Sequence, residues 1–292
     1  RRCLYPYGLF RYTELGSNAI PVTVFSRIIT LLTDFGYDDP FVAVMKGVVS
    51  RINPAARFVG LSHNVPPQDV FRGALMLRSA APYFPTGTIH VAVVDPGVGS
   101  SRRPLLIEAN GESYIGPDNG VLSLALSDKK ITRITELRNH AYFLAPTSAT
   151  FHGRDVFAPV AAHLSLGVPA EELGPALADY TKLTWPRSVQ GNGSVQGEII
   201  YVDRFGNLVT NIAESDLQTI EDKSLTISLR SYILQGLHEN YSSGAGQDLI
   251  ALINSWKLLE IARFCGSAQL HTGAQVGDKV QIGFRAWGQQ RQ

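Results

Sequence analysis

Five segments of the chain carry side chains able to do acid–base or polar recognition chemistry. Val91 to Arg103 reads Val-Ala-Val-Val-Asp-Pro-Gly-Val-Gly-Ser-Ser-Arg-Arg, so a run of β-formers ends in Asp95 and is followed by Arg102 and Arg103. Either arginine can fold back to pair with the carboxylate, or lower the pKa of a group held between them. A salt-bridged loop is the plain alternative. Thr33-Asp34-Phe35-Gly36 closes a second apolar run in the same way. In Thr150-Phe151-His152-Gly153-Arg154-Asp155 an imidazole precedes a helical stretch, and Gly153 lets a ligand or backbone come close. Asp155 itself reads first as the N-cap of that helix. Asp203-Arg204-Phe205-Gly206-Asn207 offers a carboxylate and an amide, a pair able to hold the ammonium and carboxylate of an amino-acid-like ligand, although such a segment can equally be a β-turn. Asn254-Ser255-Trp256 closes a later strand.

These segments need elements to hold them. Arg27 to Leu32 has strand length, Phe41 to Ile52 has helical spacing stopped by Asn53-Pro54, and Arg57 to Leu61 reads as the next strand. That is a β-α-β unit and predicts a parallel sheet. His63 and Asp69 lie in a Pro-rich loop before a second amphipathic helix, Val70 to Tyr83. The strand before Asp95 is apolar on successive residues, the mark of burial on both faces. Leu105 to Glu108 and Ser113 to Gly116 form a hairpin-like pair, and Gly116-Pro117-Asp118-Asn119-Gly120 is turn chemistry in which Asp118 and Asn119 could also meet a ligand. A helix is expected from Val156 to about Leu166. Ala170 to Asn192 then reads as a link, and beyond it the pattern is short strands alone: Val195 to Val202, Leu208 to Ile212, Leu225 to Leu229, Leu249 to Ile253, Leu258 to Ala262 and Lys279 to Ile282.

The expected organisation is an extension over residues 1–26, an α/β domain with a mostly parallel sheet over 27–190, and a smaller antiparallel β-barrel domain over 191–292. In open α/β sheets ligands bind beyond the carboxyl ends of the strands, where Asp34 and Asp95 would stand.

The net charge is +1, from 26 basic and 25 acidic side chains, so the chain lacks the global field of a nucleic-acid or membrane-surface protein. No apolar run approaches the roughly 18 residues needed to span a bilayer. The partner expected is a small molecule. Two cysteines, Cys3 and Cys265, make neither a disulfide framework nor a four-ligand zinc site, and a reducing, cytoplasmic setting is the default. Residues 1–26 lack the apolar core and cleavage site of a secretion signal, and the missing initial Met suggests a processed or trimmed start.

Taken in order, the Thr33–Gly36, Asp95–Gly99, Arg102-Arg103, Gly116–Gly120, Phe151–Asp155, Asp203–Asn207 and Asn254-Ser255 segments resemble the S-adenosyl-L-methionine (SAM) hydroxide adenosyltransferases, SAM hydrolases related to the fluorinase and chlorinase. The resemblance runs from about Ile28 to Ile282. It implies an N-terminal α/β domain, a C-terminal β-barrel, and a homotrimer that holds SAM between neighbouring subunits. The implied reaction is attack of water or hydroxide at ribose C5′, giving adenosine and L-methionine, with SAM as substrate and neither cofactor nor metal. The implied catalytic set is Asp95, Arg102 and His152, with the choice of base between His152 and Asp95 open. Asp34 is implied at the ribose hydroxyls, Asp203 and Ser255 at the methionine end, and Asn207 and Phe151 around adenine and ribose. Trp256 departs from the halogenating relatives, which carry Arg there. Those relatives also have Tyr and Ser in place of His152 and Gly153, and no acid in place of Asp95. A carboxylate beside the nucleophile repels a halide and favours an oxygen nucleophile. The competing readings are a SAM-dependent halogenase, a metal-dependent hydrolase built on Asp34, His63, Asp95, His152 and Asp155, and a non-catalytic SAM- or adenosine-binding module.

Overall fold

A computed structural model describes residues 27–191, 193–217 and 225–284, so the expected N-terminal extension lies outside the described residues. The chain divides into two compact units, one up to Leu183 and one from Thr184 onward. The link expected over Ala170 to Asn192 is shared between them. Leu177 N–H donates to Ile134 O at 2.9 Å, Thr181 N–H to Asp118 Oδ1 at 2.7 Å and Leu183 N–H to Ser123 Oγ at 3.0 Å, which binds the first part of the link to the first unit. Asn211 Nδ2 donates to Pro186 O at 3.1 Å, and residues 189–191 pair with the strand that follows, so the rest belongs to the second unit.

In the first unit six strands form one sheet: β1 (Ile28–Thr33), β2 (Arg57–Ser62), β3 (Ile89–Val93), β4 (Pro104–Ala109), β5 (Glu112–Pro117) and β6 (Ile131–Glu136). The order is β2-β1-β3-β5-β4-β6. The pairs β1–β2, β1–β3 and β3–β5 are parallel, whereas β4 pairs antiparallel with β5 and β6. The strand β6 was not expected. Its sequence, Ile-Thr-Arg-Ile-Thr-Glu, is half polar because it lies at the sheet edge.

The central strand β3 is buried throughout. Ile89, Val91 and Val93 join one apolar cluster with residues of α1 (Phe41–Ile52) and of Ala158–Ser165, while Ala92 and Val94 join another with α2 (Val70–Ala80) on the opposite face. Helices cover both faces, and this explains why apolar residues run without a polar alternate. Because β1 has β2 on one side and β3 on the other, the chain reverses direction across the sheet at the β1/β3 boundary. Asp34 and Asp95 follow the carboxyl ends of those two strands, at the crevice where this topology places ligands.

The second unit is an antiparallel sheet that nearly closes on itself. Its strands are β7 (Val189–Gly191), β8 (Ser194–Val202), β9 (Leu208–Ala213), β10 (Leu225–Leu229), β11 (Tyr232–Gln235), β12 (Ile250–Ile253), β13 (Leu258–Ala262) and β14 (Lys279–Phe284). The path runs β11-β10-β14-β8-β9-β13-β12, with β7 beside β8. His238, just past β11, bridges to Leu252 in β12, and its N–H donates to Ala251 O at 2.8 Å, which brings the two ends of the path together. Inward apolar residues from all sides, among them Val195, Ile199, Leu208, Ile227, Leu259 and Ile282, fill the interior.

Candidate active site

In the first unit, Asp95, Arg102 and His152 form one hydrogen-bonded group. Arg102 Nε donates to Asp95 Oδ1 at 3.0 Å, and its Nη2 forms a second, short bond to Asp95 Oδ2. The same Nη2 lies 2.8 Å from His152 Nδ1. The side chains of Arg102 and Asp95 are only 9% and 5% exposed, so the pair is largely withdrawn from water. Phe157 backs the guanidinium, with its ring centroid 5.4 Å from Cζ. A guanidinium has no acceptor, so His152 Nδ1 must accept the bond with its lone pair. Burial lowers the His152 pKa, and the Arg102 charge lowers it further against smaller opposing effects from Asp95 and Asp155. The imidazole is therefore neutral at pH 7 and carries its proton on Nε2.

The loops are brought together by a close backbone approach. Gly99 has φ +77°, and a Cβ built there would fall 2.3 Å from Ala149 O. Only glycine lets the Asp95 turn lie against the loop that leads to His152. After His152 the chain takes a π-helical turn over Gly153–Phe157 before the α-helix of Ala158–Ser165. Such turns are frequent at functional sites.

The expected N-cap role of Asp155 is overturned. Asp155 is fully buried inside the π-turn, accepts from Ser148 N at 2.9 Å and Ser148 Oγ at 2.7 Å, and pairs with Arg154 at 2.5 Å. Burial alone would raise its pKa, but the bonds from Arg154 and Ser148 outweigh this and hold it below the usual carboxylate range. It fixes the loop 148–151 beside His152, which lines the adjoining cavity.

That cavity, about 680 Å³, is lined by Asp34, Phe35, Gln68, Asp95, Phe151 and His152 with their neighbours. Asp34 Oδ2 accepts the backbone N–H of Gln68 at 2.8 Å, so its carboxylate is oriented before any ligand arrives. Phe151 packs edge-on against Phe35 and Phe41, at 5.8 and 5.3 Å between centroids. Five of the expected residues, Asp34, Asp95, Arg102, Phe151 and His152, thus gather at one place in the first unit.

Asp203 and Ser255 line a different cavity, of about 460 Å³, within the second unit. Asp203 Oδ1 accepts from Phe205 N and Asn207 N, both at 2.8 Å, and Asn207 Nδ2 donates to Asp203 Oδ2 at 2.9 Å. Asn207 is thus nearly buried as the partner of Asp203. Glu260, Tyr241 and Glu239 on the same wall are not among the expected residues, whereas Asn254 belongs to the expected Asn254-Ser255 segment. The detectable signal was a glutamate inside the apolar run Leu-Leu-Glu-Ile-Ala of β13.

Two further expectations are corrected. Arg103 does not share Asp95: its Nε bonds Asp118 Oδ2 at 2.7 Å and its Nη1 bonds Asp179 Oδ1 at 3.0 Å. Asp118 and Asn119 are structural rather than ligand-facing, since Asp118 holds Arg103 and Thr181 while Asn119 bonds Val94 O and Val121 N. The five residues considered for a metal are otherwise engaged. His63 is buried with Nδ1 on Thr33 Oγ1 at 2.9 Å, and among the described residues no three His, Cys, Asp or Glu side chains are grouped to hold an ion. Among the described residues no helix is long and apolar enough to cross a membrane.

Comparison with known proteins places this geometry in context. Models of the SAM hydroxide adenosyltransferase N-terminal and C-terminal domains match residues 29–174 and 197–281. The chain is 36% identical over 258 residues to the (R)-S-adenosyl-L-methionine hydrolase of Salinispora tropica, covering 87% of this chain and 97% of that one. It is 30% identical over 219 residues to the fluorinase of an Actinoplanes species, covering 65% and 73%. Among solved structures, an uncharacterized conserved protein of Thermotoga maritima superposes with TM-score 0.82 at 34% identity, covering 87% of this chain and 99% of that one.

Proposed function

The chain belongs to the SAM hydroxide adenosyltransferase family, and from that premise we propose that it hydrolyses SAM to adenosine and L-methionine by in-line attack of water at ribose C5′. The observation that carries the reading is the Arg102 bridge between Asp95 and His152 on the wall of a cavity shared with Asp34.

The sulfonium of SAM leaves as a neutral thioether and needs no acid, so the demands of the reaction fall on the nucleophile. Water must stand behind C5′, opposite sulfur, and such positioning contributes roughly 7 to 11 kcal/mol when the geometry is near-attack. His152 Nδ1 is occupied by Arg102, so its Nε2–H is a donor that orients the water. The Asp95 carboxylate keeps lone pairs beyond the two that Arg102 uses and receives the proton. As the O5′–C5′ bond forms, the attacking oxygen becomes strongly acidic, and a carboxylate suffices as base. Arg102, permanently cationic, holds both partners in place and stays protonated. The balanced products are adenosine, L-methionine and one proton.

On this reading Asp34 holds the ribose hydroxyls, Phe151 flanks the nucleoside, and Asp203 and Ser255 hold the methionine end; Asn207, expected around adenine and ribose, is instead bonded to Asp203 and fixes that carboxylate. The first group lines a cavity of the first unit and the second a cavity of the second unit. We propose that one SAM is shared by the first unit of one subunit and the second unit of its neighbour in a homotrimer. Phe205, 75% exposed on the Asp203 turn, favours such an assembly, and sedimentation analysis giving a monomer would refute it. SAM is the substrate and no cofactor or metal takes part. An exposed free Cys265 suits a reducing cytoplasm. Incubation with SAM in ¹⁸O-labelled water tests the reaction itself: label is expected in the 5′-hydroxyl of adenosine, and unlabelled adenosine would refute direct attack by water.

A further inference from the structure

Three carboxyl groups, Asp203, Glu239 and Glu260, line the cavity of the second unit, and no Lys or Arg among the described residues lines it with them. Glu260 lies at the centre of β13 and is only 3% exposed. Its oxygens accept from Tyr241 Oη at 2.8 Å and from Asn254 Nδ2 at 3.1 Å, and both donors are neutral. Asp203, on the same wall, is held by backbone and amide N–H groups alone. The ion pairs made by described residues of this unit join Arg230 to Asp278, Lys257 to Glu214, Arg263 to Asp248 and Lys279 to Glu198, so none of them reaches either carboxylate. Burial raises the Glu260 pKa, and repulsion from Asp203 raises it further against the lowering bonds from Tyr241 and Asn254.

An apolar side chain would fill this strand position at less cost. Glu260 stands opposite Val209 and Leu252, with buried Leu259 and Ile261 on either side. A buried carboxyl costs stability unless it is paired, and a partner missing from the protein can come with the ligand. The rest of the wall suits an organic cation. The rings of Tyr201 and Trp256 stand 5.4 Å apart there, and aromatic faces attract positive charge.

We propose that Glu260 is a specificity-determining residue that reads the α-ammonium group at the methionine end of SAM, aimed by Tyr241 and Asn254 and acting beside Asp203. The inference rests on the SAM reading given above and adds to it the group by which this cavity selects its ligand. Neither Tyr241 nor Asn254 touches the ammonium; both are positioning residues that hold the Glu260 carboxyl.

The test compares Glu260→Gln with the unaltered protein by calorimetric titration of two ligands, SAM and the analogue in which hydrogen replaces the α-amino group, together with steady-state adenosine release. Glu260→Gln keeps the volume and one acceptor oxygen. Its affinity for SAM is expected to fall on the order of tenfold or more, the effect of losing a charge-assisted bond. Its kcat should stay within about threefold, and its affinity for the analogue should be unchanged. Tyr241→Phe, which removes one aiming bond, is expected to move SAM affinity in the same direction by less, and it gives the answer should Glu260→Gln fail to fold. Unchanged SAM affinity in the variants, or an equal loss for both ligands, overturns the proposal. If the unaltered protein binds SAM in a Glu260-dependent way but releases no adenosine, the hydrolysis reading fails and this one stands.

Discussion

The role assigned to His152 separates sharply from that of a general base through two substitutions. In the structure its Nδ1 lone pair is taken by Arg102 Nη2 at 2.8 Å, which leaves Nε2–H as a donor and no free basic nitrogen. Gln in its place puts an amide N–H near the position of Nε2 but cannot take a proton at any accessible pH. Ala removes the donor altogether. Ala also strips the charged Arg102 guanidinium of its Nδ1 acceptor, and a hydrogen bond with one charged partner is worth about 1.5 to 3 kcal/mol, which corresponds to roughly 10- to 150-fold in rate. His152→Ala is therefore expected to lose kcat within that range, with SAM affinity measured by titration changed much less. His152→Gln is expected to recover most of the loss and to lie within about tenfold of the unaltered enzyme. The assay is adenosine release at saturating SAM. If His152 were the base, Gln could not replace it, and the loss would reach about 10² to 10⁴ in both variants. A Gln variant as inactive as the Ala variant refutes the tautomer argument and returns proton transfer to the imidazole.

The adjacent arginines separate by readout. Arg102→Lys breaks the two-bond grip on Asp95 and the contact to His152 and should lower kcat at least 10²-fold. Arg103→Lys should leave kcat unchanged and lower the melting temperature, because Arg103 holds the largely buried Asp118; equal kinetic losses in both would contradict the assignment. Burial lowers the pKa of His63 and of His90 to about 4, with a further effect of Lys46 on the first and opposed effects of Glu112 and Lys129 on the second. Both are neutral when folded, while the unfolded chain binds protons from about pH 6.5 downward. Stability should therefore fall as pH drops from about 6.5 to about 4, by up to about 3 kcal/mol for each histidine. Melting curves flat across that window would refute it. In excess chloride or fluoride no 5′-halo nucleoside should form, since in the proposed mechanism the Asp95 carboxylate faces the nucleophile and repels a halide. Gly153→Ser should not create that activity, because a Cβ there meets Met45 Sδ and Phe151 at 3.2 Å; a halogenated product from either protein would overturn the electrostatic argument.

What could be read from the chain depended on whether a feature was local. The helix Phe41–Ile52 is encoded by its own apolar spacing and its Asn53-Pro54 stop, and it lies where expected. Six of the eight strands of the second unit follow from short β-forming runs, the short β7 and β11 being unexpected, and Asp95 with Arg102 follows from a carboxylate seven positions before a cation that a tight turn folds back on it. The features that were missed depend on partners distant in sequence. The strand β6 is half polar because it has a sheet on one side only. Asp155 has the composition of an N-cap, but Ser148 and Arg154 draw it inward. Arg103 and Asp118 each appear able to meet a ligand until Asp179 and Thr181, from the end of the unit, engage them. The environment of Glu260 comes from Tyr241 and Asn254 on other loops and is not written in its own segment.

If one SAM is shared between the two cavities as proposed, the distribution of charge between them follows from the chemistry of a sulfonium. The departing sulfur becomes neutral, so stabilising it would need no preformed anion, and a strong anion at sulfur would hold the ground state more than the transition state. Charge is useful at two other points. One is the attacking oxygen, where the Asp95–Arg102 pair is nearly neutral as a unit and presents a carboxylate without placing net negative charge against the cationic substrate. The other is the distant end of the substrate, where binding energy can fix C5′ in line without touching the reacting bonds, and there Asp203 and Glu260 lack any cation of their own among the described residues. An enzyme that spread its acids evenly along the substrate would bind SAM tightly and turn it over slowly. Concentrating unpaired acids at the amino-acid end and a self-compensated pair at the carbon under attack gives binding and reaction separate determinants, and for that reason substitutions at Glu260 and His152 should divide between KM and kcat.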